Sequence, residues 1–177
     1  MIDLKITQKG DALLVLKDFP AKAKKAVWQA QRDTLRKIRA EIVRQTTAKY
    51  YITAGRLRSA MEVTGTRLKI SGARQLIHHY KLSPTSRKKR NATLMGAVKK
   101  GGMKSLGRNA FLMPVGGKYI AVARTSRKRT PLMNIVGPAV PQLASNPETI
   151  EVVEGVAEET FSKRLEYWSL KAIGAVK

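Results

Sequence analysis

The feature that most constrains this chain is the separation of its charges along the sequence. From residue 63 to residue 147 there is no aspartate or glutamate, whereas the same stretch carries seventeen lysines and arginines. Cations at this density repel one another and have no acid nearby in sequence to neutralise them. We therefore expect this half of the chain to form a cationic surface, balanced by nucleic acid, an anionic membrane or acidic protein neighbours.

The length and composition of the chain are those of one folded domain. The chain has 177 residues, of which 43% are hydrophobic, a net charge of +23 and no cysteine. A domain of this size buries about 70% of the surface that its open chain exposes, so it needs no disulfide or metal to fold. The absence of cysteine excludes disulfides, cysteine nucleophiles and thiolate metal sites. We expect a single domain over residues 1–177.

Two long helices are predicted, one near each end of the chain. The first spans residues 21–50 and follows Pro20, which suits a first helical position. The second spans residues 147–170 and begins with Asn146, Pro147 and Glu148, a capping side chain, a helix-opening proline and an acid at the positive end of the helix dipole. Their apolar stripes are Val27, Thr34, Leu35, Ile38 and Ile42 in the first helix, and Val153, Ala157, Phe161, Leu165 and Trp168 in the second.

Short strands are predicted at the N-terminus and between the helices. Alternating Ile2, Leu4 and Ile6 indicate the first, and others are expected at residues 62–70, 75–82, 92–98, 110–113 and 119–123. Glycines 116 and 117 favour a two-residue hairpin turn, Thr53 is placed to cap a short helix over residues 54–60, and the prolines of residues 131–147 predict an extended connection. This order predicts an α+β fold, with both long helices packed on a mostly antiparallel β-sheet.

Two basic segments are predicted to be mobile loops, because they hold many like charges and few apolar residues. The first, near residues 83–91, carries Arg87, Lys88, Lys89 and Arg90, and the second, near residues 125–131, carries Arg127, Lys128 and Arg129. Such loops bind phosphates without regard to sequence, through counterion release. We take them as candidate DNA-facing or inter-subunit loops. The region has few aromatic residues and no recognised DNA- or RNA-reading motif, so specific readout is not expected.

The C-terminal helix is the opposite in charge. Glu151, Glu154, Glu158 and Glu159 make it the acidic part of the chain. One interpretation is that this helix contacts a basic neighbour, such as the next copy of the same protein, in a head-to-tail contact that closes into a ring. The other is that these glutamates only solvate an exposed helix.

Groups for catalysis are scarce in the sequence. The only histidines, His78 and His79, are adjacent, so in the predicted strand they would point to opposite faces. The Gly-Gly-Met-Lys-Ser stretch at residues 101–105 lacks the first glycine of a phosphate-binding loop. We expect a protein that is not an enzyme and holds no cofactor or metal. We also expect no secretory signal and no membrane contact, because no apolar run is long enough.

Five segments occur in a characteristic order. They are residues 50–60 after the basic helix, residues 75–84, residues 97–102 with 107–111, the predicted hairpin 113–124 with 127–132, and residues 136–143 before the closing helix. In this order the chain resembles the tail-completion, or minor tail protein Z, family of long-tailed phages. It departs from the family pattern at Met133, Asn134 and Ile135, which are more apolar.

The resemblance implies a structural virion protein of the tail or neck, present in the host cytoplasm during assembly. Such a protein would complete the tail and contribute to the head–tail joint as a ring around the DNA channel, a hexamer if it follows tail symmetry. Its implied partners are its own copies, the tail tube, the tail terminator, the head connector and, without sequence specificity, packaged DNA. The alternative is a basic protein that binds nucleic acid non-specifically.

Overall fold

The computed structural model describes residues 2–5, 20–86 and 93–175, the first group by its backbone alone, and it confirms the α+β fold. The helices of these residues are α1 (Pro20–Lys49), α2 (Ala54–Ser59), α3 (Val140–Ala144) and α4 (Pro147–Ala172). The strands are β1 (Ile2–Lys5), β2 (Met61–Thr64), β3 (Arg67–Ile70), β4 (Arg74–Leu76), β5 (Lys81–Ser83), β6 (Met95–Ala97), β7 (Lys104–Ser105), β8 (Ala110–Val115), β9 (Lys118–Arg124), β10 (Leu132–Asn134) and β11 (Val136–Ala139).

The two long helices pack against each other in antiparallel directions. The end of α1 contacts the start of α4 through Lys49 and Glu148, and Trp168 near the end of α4 donates its indole N–H to Asp33 in α1. Buried residues recur every four positions along both helices, and many of them are small, which lets the helix backbones approach closely. They are Ala26, Ala30, Thr34, Ile38, Ile42 and Thr46 in α1, and Thr149, Val153, Phe161, Leu165 and Ser169 in α4.

The apolar side chains form two clusters of unequal size. The larger one joins the C-terminal half of α1 to the short strands and to α3, and the smaller one lies between the outer halves of α1 and α4. The larger includes Leu35, Ile38, Ile42, Leu57, Leu68, Ile70, Leu112, Val140 and Val153. The smaller contains Ala30, Phe161 and Leu165, with Val27 and Trp168 packed against it. The domain is therefore anchored at one end of the helix pair.

The strands of the described residues form four small antiparallel sheets instead of one continuous sheet. Their orders are β1-β3-β2, β10-β9-β8, β11-β4 and β5-β6-β7. The predicted hairpin is confirmed, with Gly116 and Gly117 at φ 55° and 76° between β8 and β9. Its two positive φ angles match the twist that a two-residue hairpin needs.

Two predicted strands are wrong in their extent. The strand expected over residues 62–70 is a hairpin, because Gly65 at φ 59° turns the chain between β2 and β3. Glycine at the first central position is the signature of such a turn. The strand expected over residues 75–82 is interrupted by a one-turn 3₁₀ helix at Ile77–His79, which places the Ile77 side chain in the core.

The helix boundaries were predicted more closely than their caps. Asn146 accepts a hydrogen bond from the Glu148 N–H and caps α4 as expected. Thr53 stands at the cap position of α2, but its side chain makes no capping hydrogen bond. The proline segment 131–147 is more regular than expected, since it contains β10, β11 and the short α3.

Gly137 provides a test of the packing between β11 and the core. A Cβ at this position would lie 2.6 Å from Cε2 of Tyr80, whose hydroxyl donates to the Pro138 carbonyl at 2.8 Å. We expect Gly137→Ala to lower the free energy of unfolding by about 1–3 kcal/mol, because the buried ring must shift. Gly155 lies inside α4 with open space around it, so Gly155→Ala should raise the free energy by about 0.5–1 kcal/mol. Urea denaturation measures both, and equal effects would contradict this packing.

Candidate subunit-contact and polyanion-binding surfaces

The second basic loop lies where the sequence predicts it. Arg127, Lys128 and Arg129 are exposed in a bent connection between β9 and β10. The Lys128 N–H donates to the Ser126 hydroxyl at 3.2 Å, and the Thr125 hydroxyl donates to the Pro131 carbonyl at 3.3 Å. The loop therefore has local hydrogen bonds that shape it, while its three cations point into solvent. The first predicted set, Arg87, Lys88, Lys89 and Arg90, lies outside the described residues.

The four glutamates of α4 that the sequence analysis takes as a candidate contact surface divide into two groups. Glu151, Glu154 and Glu158 are exposed, and at 100° per residue they fall within about 60° of one another around the helix axis. They lie on the side of α4 opposite the groove between α1 and α4. Glu159 instead lines that groove and forms an ion pair with Lys163. The hydrogen bond and charge of Lys163, with a smaller contribution from Lys37, lower the pKa of Glu159.

The ion pairs of the described residues are confined to the two long helices. They join Arg36 and Arg164 to Asp33, Arg44 to Glu41, Lys49 to Glu148, and Lys163 to Glu159. Within residues 20–86 and 93–175, no cation between the end of α1 and the start of α4 has a carboxylate within ion-pair distance. The charge separation read from the sequence thus persists after folding.

A cluster of cations around Tyr51 was not identified from the sequence. The Lys81 ammonium lies 5.0 Å from the centre of the Tyr51 ring and 3.4 Å from its hydroxyl oxygen, and the Lys100 ammonium lies 5.9 Å from the same ring. Nearby, Glu148 pairs with Lys49 at 2.8 Å. The hydrogen bond and charge of Lys49 lower the pKa of Glu148, and the charge of Lys99 adds a smaller effect. These residues are far apart in sequence, so only the fold brings them together.

The groove between the helices contains a buried carboxylate that sequence reasoning also missed. Glu41 is 7% exposed, accepts hydrogen bonds from Arg44 and Gln45, and lies on the inner side of α1. The Arg44 hydrogen bond, opposed by burial and aided by Gln45, holds the pKa of Glu41 below its usual range. The signal was present in the sequence, because partners three and four residues ahead on a helix reach the same face.

The two histidines do not point to opposite faces, so that expectation is wrong. They belong to the 3₁₀ turn instead of a strand, and their ring centres are 4.2 Å apart. Burial, followed by the charge of Arg56, lowers the pKa of both rings. Both are consequently neutral near pH 7, next to a positive surface.

Two other kinds of site are absent from the part of the chain that the structure describes. There, no three histidine, aspartate or glutamate side chains are grouped so that they could hold a metal ion. None of the helices in the same residues has the length and apolar character that a bilayer crossing requires.

Comparison with known proteins gave no match to a family model, to a curated protein or to a solved structure.

The pKa values of the two histidines and of Glu41 are lowered in the folded protein. We therefore expect acid to lower the free energy of unfolding in two separate pH ranges. A histidine whose folded pKa is lowered takes up protons more readily when unfolded, so stability falls as the pH drops from about 7 to about 5. Glu41 has the opposite charge but the same direction of effect, since its stabilisation is lost below about pH 4.5 as its carboxylate is protonated.

Chemical denaturation across this pH range measures both effects. The double variant His78→Gln, His79→Gln should flatten the curve between about pH 7 and pH 5 and keep the fall at lower pH. An unchanged slope in the upper window would contradict the burial of the rings.

Proposed function

We propose that this protein is a structural subunit of a tailed-phage virion, located in the tail or neck, and that it has no catalytic role. It completes the tail and contributes to the head–tail joint as a ring around the DNA channel, with six copies if it follows tail symmetry. Its neighbours are its own copies, the tail tube, the tail terminator and the head connector. It is present in the host cytoplasm until it is assembled into the virion.

The observation that carries this proposal is the unbalanced charge of the folded chain. The cations between α1 and α4 have no ion-pair partner in residues 20–86 and 93–175, while Glu151, Glu154 and Glu158 stand together on α4 without one. Opposite charges on different surfaces of one molecule favour a head-to-tail contact between copies. Such contacts close into rings when the rotation between copies allows it.

The fold supports this reading in a second way. The outer halves of α1 and α4 are joined by the smaller apolar cluster, by the hydrogen bond from Trp168 to Asp33 and by the ion pair between Arg164 and Asp33. Trp28 in this part of α1 is 40% exposed. Among the described residues, the sheets pack against one end of this long helix pair. The rest of the pair offers an extended surface to neighbours. The particular assembly, a phage tail, is proposed because the order of segments resembles that of the minor tail protein Z family.

The acidic face of α4 gives the first test of assembly. We expect the triple variant Glu151→Gln, Glu154→Gln, Glu158→Gln to reduce incorporation of the chain into tailed particles at least tenfold, because the contact with the neighbouring cations is lost. The matched control is Glu62→Gln, Glu159→Gln, Glu166→Gln, which removes the same charge from other exposed positions. Quantitative mass spectrometry of purified particles measures incorporation. Equal incorporation of the two variants would contradict the assigned contact.

The proposed location is tested directly on particles from cells that carry the gene. Electron microscopy of these particles should show density for this fold between the tail tube and the head connector. Absence of the chain from purified tailed particles would overturn the proposal.

The second candidate function is non-specific nucleic-acid binding by the free protein, and the unpaired cations favour it. The two functions differ in affinity near physiological salt. A dedicated nucleic-acid binder holds DNA at submicromolar Kd there with a steep salt dependence. A tail subunit binds weakly by itself and joins its partners.

A further inference from the structure

We infer that the lysines around Tyr51 form a binding site for the phosphate backbone of duplex DNA. The site, here called the Tyr51 cluster, consists of Tyr51, Lys81 and Lys100. It is separate from the Arg127–Arg129 loop, which joins strands of a different sheet. The inference deepens the proposed function, on which it rests for the source of the DNA, the packaged genome.

The backbone of the Tyr51 cluster is fixed by hydrogen bonds between two distant segments. The Tyr51 N–H donates to the Val98 carbonyl at 2.8 Å, and the Lys100 N–H donates to the Lys49 carbonyl at 2.8 Å. Tyr50 lies between them and pairs with Lys99 in an antiparallel bridge, while its hydroxyl accepts from Asn146 at the start of α4. The lysines therefore extend from ordered structure, which lowers the entropy lost when they bind a ligand.

The ring of Tyr51 holds two of these cations close together. Lys81 and Lys100 approach it at 5.0 Å and 5.9 Å, distances at which the ring quadrupole attracts an ammonium group. The ring reduces the cost of gathering like charges but does not neutralise them. An anion bound between the two ammonium groups would remove the remaining repulsion.

The one carboxylate beside the cluster is already engaged. Glu148 pairs with Lys49, and the hydrogen bond and charge of Lys49 lower its pKa, with Lys99 adding a smaller effect. In residues 20–86 and 93–175, no carboxylate comes within ion-pair distance of Lys81, Lys99 or Lys100. The positive charges of Lys81 and Lys100 are left for an external ligand.

The character of the surrounding surface favours a phosphate backbone over an acidic protein. Lys99 and Lys100 are followed by Gly101 and Gly102, which are exposed and have open space where a side chain would stand. Protein interfaces have an apolar core with aromatic anchors, whereas phosphate sites need cations and close access. An exposed lysine–glycine surface has the second character. The proposed contacts join lysine ammonium groups to phosphate oxygens, which carry no sequence information, so binding is independent of sequence.

The test compares two variants with the same loss of charge. The cluster variant is Lys81→Gln, Lys100→Gln, and the matched control is Lys24→Gln, Lys69→Gln, which alters exposed lysines on α1 and β3. Fluorescence anisotropy with a 30-base-pair duplex, titrated from 50 to 200 mM KCl, gives Kd and its salt slope. Because each phosphate contact on duplex DNA contributes about 0.9 to the slope, the cluster variant should lose about two in slope and about tenfold in affinity at 50 mM KCl.

The control variant should keep most of its slope, since its lysines are dispersed. Equal slopes for the two variants would overturn the site, whatever their Kd values. A polyglutamate competitor that displaces the duplex as well as an equal charge of inorganic polyphosphate does would assign the Tyr51 cluster to an acidic protein and also overturn the inference. Thermal denaturation confirms that both variants are folded.

This measurement is independent of the assembly test. If the cluster binds duplex DNA but the chain is absent from tailed particles, the proposed function fails and the ligand class stands. If the chain is found in particles and the cluster variant binds DNA like the control, the function stands and the inference fails.

Discussion

The antiparallel contact between α1 and α4 is the interaction on which the rest of the structure depends. Residues with small side chains, such as Ala30, Thr34 and Ser169, bring the two helices close together over much of their length. The pairing of α1 with α4 brings together parts of the chain that are distant in sequence. The short strands pack against the C-terminal half of α1. The four sheets have two or three strands each, and sheets this small gain stability by packing against a helix. The helix pair gives them a common surface.

The interactions of the carboxylates are concentrated on the same two helices. All the ion pairs in the described residues lie within or between α1 and α4. Asp33 accepts the indole N–H of Trp168, and Glu41 is satisfied by Arg44 and Gln45. Apart from Glu62, the carboxylates of residues 20–86 and 93–175 all lie on α1 and α4. The cations of the sheets and loops must therefore find their counter-charge outside the monomer. A molecule whose carboxylates lie on two helices, away from the cations of its sheets and loops, is suited to an assembly in which neighbours supply the missing charge.

The end of the helix pair also organises the surface around Tyr51. The last turn of α1, the segment after β6 and the first turn of α4 meet there through backbone hydrogen bonds and through the hydroxyl of Tyr50. The negative end of the α1 dipole favours the cations collected at this point. Stability and charge placement therefore have a common origin, and the proposed DNA contact lies at the best-anchored part of the fold.

The sequence by itself determined the elements with a strong local signal. These were the two long helices with their apolar stripes, the Asn146 cap, the glycine hairpin, the exposed loop with Arg127 and its neighbours, and the separation of charge, because each depends on residues close together in the chain. Only the tertiary structure decided how the strands divide into four sheets, that His78 and His79 share a turn, that Glu41 is buried, and that Lys81 and Lys100 meet at Tyr51. Those features depend on pairings between distant residues, whose energies no local pattern records.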